Sequence, residues 1–304
     1  MSDISGDTLR ERRATGEQSP ESLETARLYW VVIPAYNEAE TVRDVAMRAR
    51  QQCANVVVVD DGSADSTSRA VAGLDVTVLR NEENCGKAGS LSCGFEYALA
   101  HGAIGVITLD ADGQHAPEEI PSFVTQSLDD PNVFLVGARR RDQRRASFWR
   151  YVANRIADFW IGWAAGQPIE DSQSGFRLYP AGLLREVTLK HDRSRSFVFE
   201  SEIVIEAARR GFQCRNVAVT VAPRSGPRPS HFRPVLDILK ITRMVAWKLL
   251  SRGMFLQGLW AVRTSSENKW PVMFRTKRVQ GNGEEGSSVT KPVTSGKSQH
   301  WHFP

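Results

Sequence analysis

Val56-Val57-Val58-Val59-Asp60-Asp61-Gly62-Ser63 is the stretch on which the fold turns. Four successive β-branched apolar residues suit a strand covered on both faces, because a strand with one wet face would alternate. The run then breaks into turn residues. The same form recurs on either side of it. Tyr29-Trp30-Val31-Val32-Ile33 reads as a buried strand stopped by Pro34, Val76 to Leu79 as a third strand, and Gly105-Val106-Ile107-Thr108-Leu109 as a fourth. Helical spacing fills the intervals, over Glu38 to Gln52, Asp65 to Ala72 and Lys87 to His101. Alternation at this interval predicts an α/β fold with a doubly wound, mostly parallel central sheet flanked by helices. Ligands of such sheets bind beyond the carboxyl ends of the strands. The ends of interest are Pro34-Ala35-Tyr36-Asn37-Glu38, Asp60-Asp61-Gly62-Ser63 and Asp110-Ala111-Asp112, all expected on one rim.

The second half is less regular. Val133 to Val136 reads as a strand, Phe148 to Ala165 as a tryptophan-rich helix, Phe199 to Arg210 as an amphipathic helix, Asn216 to Val221 as a short strand and Pro234 to Phe255 as a long helix. The expected organisation is a disordered segment over 1–27, a single catalytic-type domain over 28–232, an amphipathic helical region over 233–262 and a disordered tail over 263–304.

The chain has 304 residues, 41% of them hydrophobic, enough for a sizeable core. A net charge of +4 is consistent with anionic partners without choosing among them. Cys53, Cys85, Cys93 and Cys214 form no CxxC pair and have no metal-ligand spacing with histidine, so they read as free thiols of a reducing compartment. The polar start lacks the apolar run of a signal peptide, and the uncharged stretch Tyr97 to Leu109 is too short to span a bilayer. The expectation is a cytoplasmic protein, soluble or peripherally attached to a membrane face.

Asp110-Ala111-Asp112-Gly113-Gln114-His115 follows the fourth strand. Two carboxylates one residue apart, with an amide oxygen beside them, make a hard-oxygen site for a divalent cation, whose natural use is to hold that cation against a diphosphate. The plainer alternative is an acidic turn satisfied by solvent. Other nucleotide and catalytic signatures fail. Asn81 and Ala88 stand where a Walker A loop needs glycine and serine or threonine, and no GxGxxG, GxSxG or HExxH occurs.

Four segments in order carry a resemblance: Val31 to Glu38, Val58 to Asp65, Asn84-Cys85-Gly86-Lys87-Ala88 and Asp110 to His115. Together they resemble family 2 glycosyltransferases with the GT-A fold, over about Leu28 to Gly253. Asp112-Gly113-Gln114-His115, Asp171-Ser172-Gln173-Ser174-Gly175-Phe176-Arg177 and Phe199-Glu200 make the chain most similar to polyprenyl-phosphate sugar transferases of the dolichyl-phosphate mannose synthase group.

The resemblance implies a nucleotide-sugar donor, UDP- or GDP-linked, and Mg²⁺ or Mn²⁺ held by Asp110, Asp112 and Gln114. It implies that Pro34, Tyr36, Glu38, Asp60, Asp61, Lys87, Asp110 and Ala111 line the nucleotide. Some have a structural alternative: Glu38 favouring a first helical turn, Asp60 and Asp61 capping a turn, Lys87 facing solvent, Asp110 supporting the strand end. Asp171, in a polar loop, is a candidate general base or acceptor-orienting group beside the catalytic Asp110 and Asp112. Glu200 is expected to hold that loop or the acceptor, or to be an ordinary helix start.

Arg139-Arg140-Arg141, Arg144-Arg145, Arg150 and Arg155 form the densest basic segment. In the family it binds phosphates, and Arg139 and Arg150 match best; guanidinium forks suit phosphate oxygens. Arg177, Ser230 and His231 complete the expected acceptor and phosphate contacts, although His231 departs from the lysine or arginine usual after that serine. The expected helix over Pro234 to Phe255 bears Lys240, Arg243, Lys248 and Arg252, and has the pattern of a lipid-surface helix or of core packing with snorkelling bases.

The reading is an inverting, metal-assisted glycosyltransferase acting on a polyprenyl phosphate or another lipid. A polysaccharide or secondary-metabolite hydroxyl acceptor is the rival within the class. A nucleotide-sugar binding protein without turnover is the rival outside it. The acidic rim and lack of any recognition motif argue against nucleic acid.

Overall fold

The computed structural model describes residues 24–139, 148–187, 196–222 and 234–264. These all fall in one compact unit. The expected disorder of residues 1–27 and 263–304 lies, apart from a few residues, outside them.

Seven strands form one sheet: β1 (Tyr29–Ala35), β2 (Val56–Asp60), β3 (Thr77–Arg80), β4 (Gly105–Thr108), β5 (Val133–Arg139), β6 (Arg177–Pro180) and β7 (Gln213–Val219). The order is β3-β2-β1-β4-β6-β5-β7. Pairing is parallel except where β6 runs antiparallel between β4 and β5. The helices are α1 (Val42–Gln52), α2 (Thr67–Ala70), α3 (Gly86–Ala100), α4 (Ile120–Asp129), α5 (Phe148–Ala165), α6 (Ala181–Glu186), α7 (Ser196–Arg209), α8 (Pro234–Leu250) and α9 (Leu256–Thr264).

The valine run explains the layering. Val56 and Val58, with Val31 and Ile33, pack on one face with residues of α1 and α4. Val57 and Val59, with Val32, pack on the other with α3, α5, α7 and α8. A period of two thus feeds two separate cores, so neither set of side chains is polar.

The chain winds outward from β1 through β2 to β3, then returns to place β4 on the other side of β1. That reversal opens a crevice beyond the ends of β1 and β4, where a doubly wound sheet receives its ligand.

Several expected boundaries move. Pro34 does not stop β1. It pairs with Val59, while β4 pairing ends at Val32, so the missing N–H leaves no ladder bond unmade. Glu38 precedes α1 by four residues, and its carbonyl accepts from Thr41 and Val42 in a turn instead. Helix α2 is only Thr67–Ala70. The long last helix breaks after Leu250, where Gly253, Met254 and Phe255 all take positive φ, and restarts as α9. Strand β6 sits at the end of the segment expected to be a loop.

Candidate active site

The β1 and β2 exits are sewn together. Asn37, at φ +56°, donates its N–H to Ser63 Oγ (2.9 Å) and accepts from the Ala64 N–H (2.9 Å). Glu38 N–H donates to Thr67 Oγ1 at 2.9 Å. Gly62, at φ +66°, has no room for a Cβ, which would meet the Glu83 carbonyl carbon at 2.8 Å. Tyr36 and Glu38 are half-buried on this rim.

Asp60 and Asp61, expected to meet base or ribose, are held by donors of the protein itself. Asp60 is fully buried and accepts from Ser63 N–H, Ser68 and Arg80. Asp61 accepts from Asn81 Nδ2 (2.8 Å) and from the Cys85 and Gly86 N–H groups (2.9 and 2.8 Å). Unpaired N–H donors at a helix start favour an acceptor there, so Asp61 fixes the beginning of α3 and Asp60 the turn.

That placement of α3 delivers Lys87. Its ammonium lies 2.6 Å from Asp110 Oδ1 at the β4 exit and 2.6 Å from Glu200 Oε1 on α7. It is not the solvent-facing lysine of the plainer expectation. Burial works against its charge, yet the two carboxylates hold its pKa above the ordinary lysine range. Burial likewise disfavours an ionised Asp110, but Lys87, His115 and Arg177 keep its carboxyl below the usual range. Glu200 is no helix start; it is the fifth residue of α7 and buried.

Asp112 Oδ1 accepts the Gln114 N–H at 3.1 Å, and Gln114 O accepts from Ala222 at 2.8 Å, fastening this loop to the chain beyond β7. His115 is buried with its ring 5.6 Å from that of Phe176, and its Nδ1 has no hydrogen-bond partner. Burial pushes the imidazole below its ordinary range.

The 171–176 loop closes the site. Asp171, at φ +54°, holds Arg139 through two bonds, to Nε (2.5 Å) and Nη2 (2.6 Å), and accepts the Arg139 N–H at 3.1 Å. Such a fork engages both carboxylate oxygens and suits Asp171 to orienting Arg139. Arg177 is placed away from the expected phosphate contact. It is wholly buried, and its guanidinium donates to the carbonyls of Ser174 (2.7 Å), Glu200 (2.6 Å) and Ser172 (2.7 Å). A side chain so enclosed shapes the loop and cannot meet a phosphate. Asp158 on α5, which nothing in the motifs marked, accepts from Ser172 N–H (3.0 Å) and Oγ (2.8 Å). Thr108 Oγ1 donates to Gly175 O at 2.7 Å. The Arg150 side chain, Ser230 and His231 lie outside the described residues.

Among the described residues no three His, Cys, Asp or Glu side chains converge on a metal position. The donors at the β4 exit are two carboxylates and an amide. They fit a hard cation that completes its shell with diphosphate and water oxygens. Gly175 leaves clear the space beside Asp110, which a Cβ would enter at 2.3 Å from Oδ2.

A mostly parallel sheet with one antiparallel insertion, an acidic pair at its switch point and a lysine bridging two carboxylates there define a glycosyltransferase of the GT-A fold. Residues 30–188 match the model for glycosyl transferase family 2, and the chain belongs to that family. Its relatives include polyprenol monophosphomannose synthase of Mycolicibacterium smegmatis, 28% identical over 70% of this chain and 84% of that protein. Undecaprenyl-phosphate mannosyltransferase of Micrococcus luteus is 29% identical over 64% of this chain and 83% of its own length. Among solved structures, glucosyl-3-phosphoglycerate synthase of Mycobacterium tuberculosis with Mn²⁺, UDP-glucose and phosphoglyceric acid is similar at TM-score 0.56 and 21% identity. That alignment covers 78% of this chain and 84% of that one.

Proposed function

We propose that this glycosyltransferase moves a sugar from a UDP- or GDP-linked donor to a polyprenyl phosphate or another lipid acceptor, with inversion, in one in-line displacement. The observation that carries the reading is Lys87 held between Asp110 and Glu200 at the switch point. Breaking the anomeric C–O bond leaves extra negative charge on a nucleoside diphosphate, and fixed positive charge aimed at it stabilises the transition state. The relatives named for polyprenol and undecaprenyl phosphate support the choice of acceptor.

In this proposal Pro34, Tyr36, Glu38 and Ala111 form the nucleoside side of the crevice, within a catalytic domain spanning 28–232. Asp110, Asp112 and Gln114 would hold Mg²⁺ or Mn²⁺, which when bound supplies charge against the diphosphate. Lys87 offsets the charge of Asp110 and Glu200 and keeps Asp110 placed beside that ion. Arg139, oriented by Asp171, presents a guanidinium to the acceptor phosphate. A phosphate nucleophile is already ionised near neutral pH, so the site needs no strong base, which agrees with an Asp171 engaged by arginine. The work would take place at the cytoplasmic face of a membrane.

The test is a thermal-shift panel of UDP, GDP and their sugars with and without Mn²⁺, followed by transfer to a polyprenyl phosphate. A metal-dependent shift that Asp112→Ala abolishes, with rate falling at least about 10²-fold, is expected. No shift with any nucleotide and no transfer would overturn the reading. Donor binding with neither transfer nor hydrolysis would select the binding protein instead. Turnover on hydroxyl acceptors alone would select the polysaccharide or secondary-metabolite reading.

A further inference from the structure

Helices α8 and α9 each bury one face in the core shared with α5 and α7, through Val245 and Leu249 on α8 and Val262 and Leu259 on α9. Their opposite faces are unusually apolar. Trp247 is 72% exposed, Trp260 71%, Leu256 70% and Leu250 64%. Trp247 and Leu250 are one turn apart on α8, and Leu256 and Trp260 one turn apart on α9, so each pair shares a stripe. On α5, Ile156 and Trp160 are also exposed, and Trp160 stacks on Trp163 with ring centroids 5.1 Å apart. Clusters of exposed aromatic and aliphatic side chains of this kind mark a contact site.

The charge pattern says what the contact is. From Ile238 to Thr264 there is no aspartate or glutamate, while Lys240, Arg243, Lys248, Arg252 and Arg263 are all basic. Lys248 turns inward to Glu202 and Glu206. Arg243, Arg252 and Arg263 remain exposed beside the apolar stripes. Indole and guanidinium together suit the headgroup layer, where a ring can bury its body and leave its polar edge wet. Exposed arginine suits anionic lipid.

The surface is also preformed. Trp163 Nε1 donates to the carbonyls of Met254 and Phe255, both at 3.1 Å, pinning the α8–α9 turn to α5. Arg252 lies over the Phe255 ring at 3.8 Å. Docking would therefore order little new backbone.

We propose that the outward faces of α8 and α9, with Trp247, Leu250, Leu256 and Trp260 inserted and Arg243, Arg252 and Arg263 on headgroups, dock this enzyme on an anionic bilayer. The inference rests on the lipid-acceptor reading for its purpose, though not for its physics. Helix α8 packs on α7, the helix that carries Glu200 to Lys87, so the docked face lies one helix away from the site. Among the described residues no helix is long and apolar enough to cross a membrane, so this contact is interfacial.

The test is co-sedimentation of the full chain with vesicles of phosphatidylcholine alone and with added phosphatidylglycerol. Binding that needs phosphatidylglycerol, weakens with salt and shifts tryptophan emission to the blue is expected. L250E/L256E and, separately, W247A/W260A should each lower the partition coefficient at least about tenfold, with unchanged thermal melting and unchanged donor binding. Absence of anionic-vesicle binding, or variants that bind like the parent, would overturn the proposal. So would a solution dimer that L250E/L256E dissociates, which would assign the face to a second copy. Transfer to a short, water-soluble prenyl phosphate is measured in parallel. Its loss beside intact vesicle binding would defeat the functional reading alone, and its retention without vesicle binding would defeat the docking alone.

Discussion

Gly175 lies against the carboxylate of Asp110 so closely that a Cβ built on it would stand 2.3 Å from Oδ2 and 2.5 Å from Oδ1. The loop that carries Asp171 and the strand end that carries Asp110 are therefore held at glycine distance. Gly175→Ala must push one away from the other. Overpacking of this kind costs about 1–3 kcal/mol, and the displaced carboxylate should lower transfer by about 10–100-fold. Urea unfolding and steady-state kinetics read the two effects. Wild-type rates in the alanine variant would show that this contact does not position Asp110.

Lys87→Met leaves Asp110 and Glu200 facing each other without their shared cation. Removing one partner of a largely buried ion pair costs about 2–4 kcal/mol. The rate should fall by about 10²-fold as well, since the fixed charge is lost. Glu200→Gln keeps the lysine and should lose clearly less activity, with most of its effect on stability. Equal rate losses in the two variants would mean that Glu200 does more than hold Lys87.

Asp171→Asn keeps a residue that tolerates the left-handed backbone at φ +54° but releases Arg139. Arg139 is partly solvated, so the stability loss should be only about 1–2 kcal/mol. If the carboxylate orients arginine, the acceptor-phosphate KM rises about tenfold and the pH–rate profile keeps its shape. Disappearance of the acid limb of that profile would identify Asp171 as the base after all.

Glu206 gives a pH prediction away from the site. Burial tends to raise its pKa, but Lys248 and Arg210 hold its carboxyl below the ordinary glutamate range. A carboxyl depressed in the folded state binds fewer protons there than in the unfolded chain. Its contribution is complete above the unfolded value and is lost as pH falls from about 4 through the folded value. Lys248→Met should therefore destabilise by about 1–3 kcal/mol at neutral pH and flatten the acid limb of a Tm-versus-pH curve. A parallel offset at every pH would refute the assignment.

Thiol labelling provides a check on the packing. Burial pushes the Cys214 thiol up to about 12, whereas Cys85 is exposed. Cys85 should react first with a thiol reagent, and Cys214 only once the chain unfolds. Early labelling of Cys214 would contradict the packing of β7 against α7.

The sheet was legible because its strands announce themselves locally. Val56–Val59 and Gly105–Thr108 are apolar runs between turn residues, and their alternation with helices dictates parallel pairing. Strand β6 was not, because Arg177 opens it and the whole strand is four residues between a polar loop and α6. Its place between β4 and β5 depends on partners far away in the chain.

The acidic rim could be read by composition, but not what each carboxylate does there. Asp60, Asp61 and Asp171 look alike in sequence to Asp110 and Asp112. Only the surrounding donors decide that Asp61 starts a helix and that Asp171 grips Arg139. The local chain determined the strands other than β6, the main helices and the family motifs, since these rest on side-chain period and on short-range turn chemistry. Tertiary structure decided the bridging of Asp110 and Glu200 by Lys87, the burial of Arg177 and the outward tryptophans of α8 and α9. Each of those depends on through-space neighbours, which no spacing along the sequence encodes.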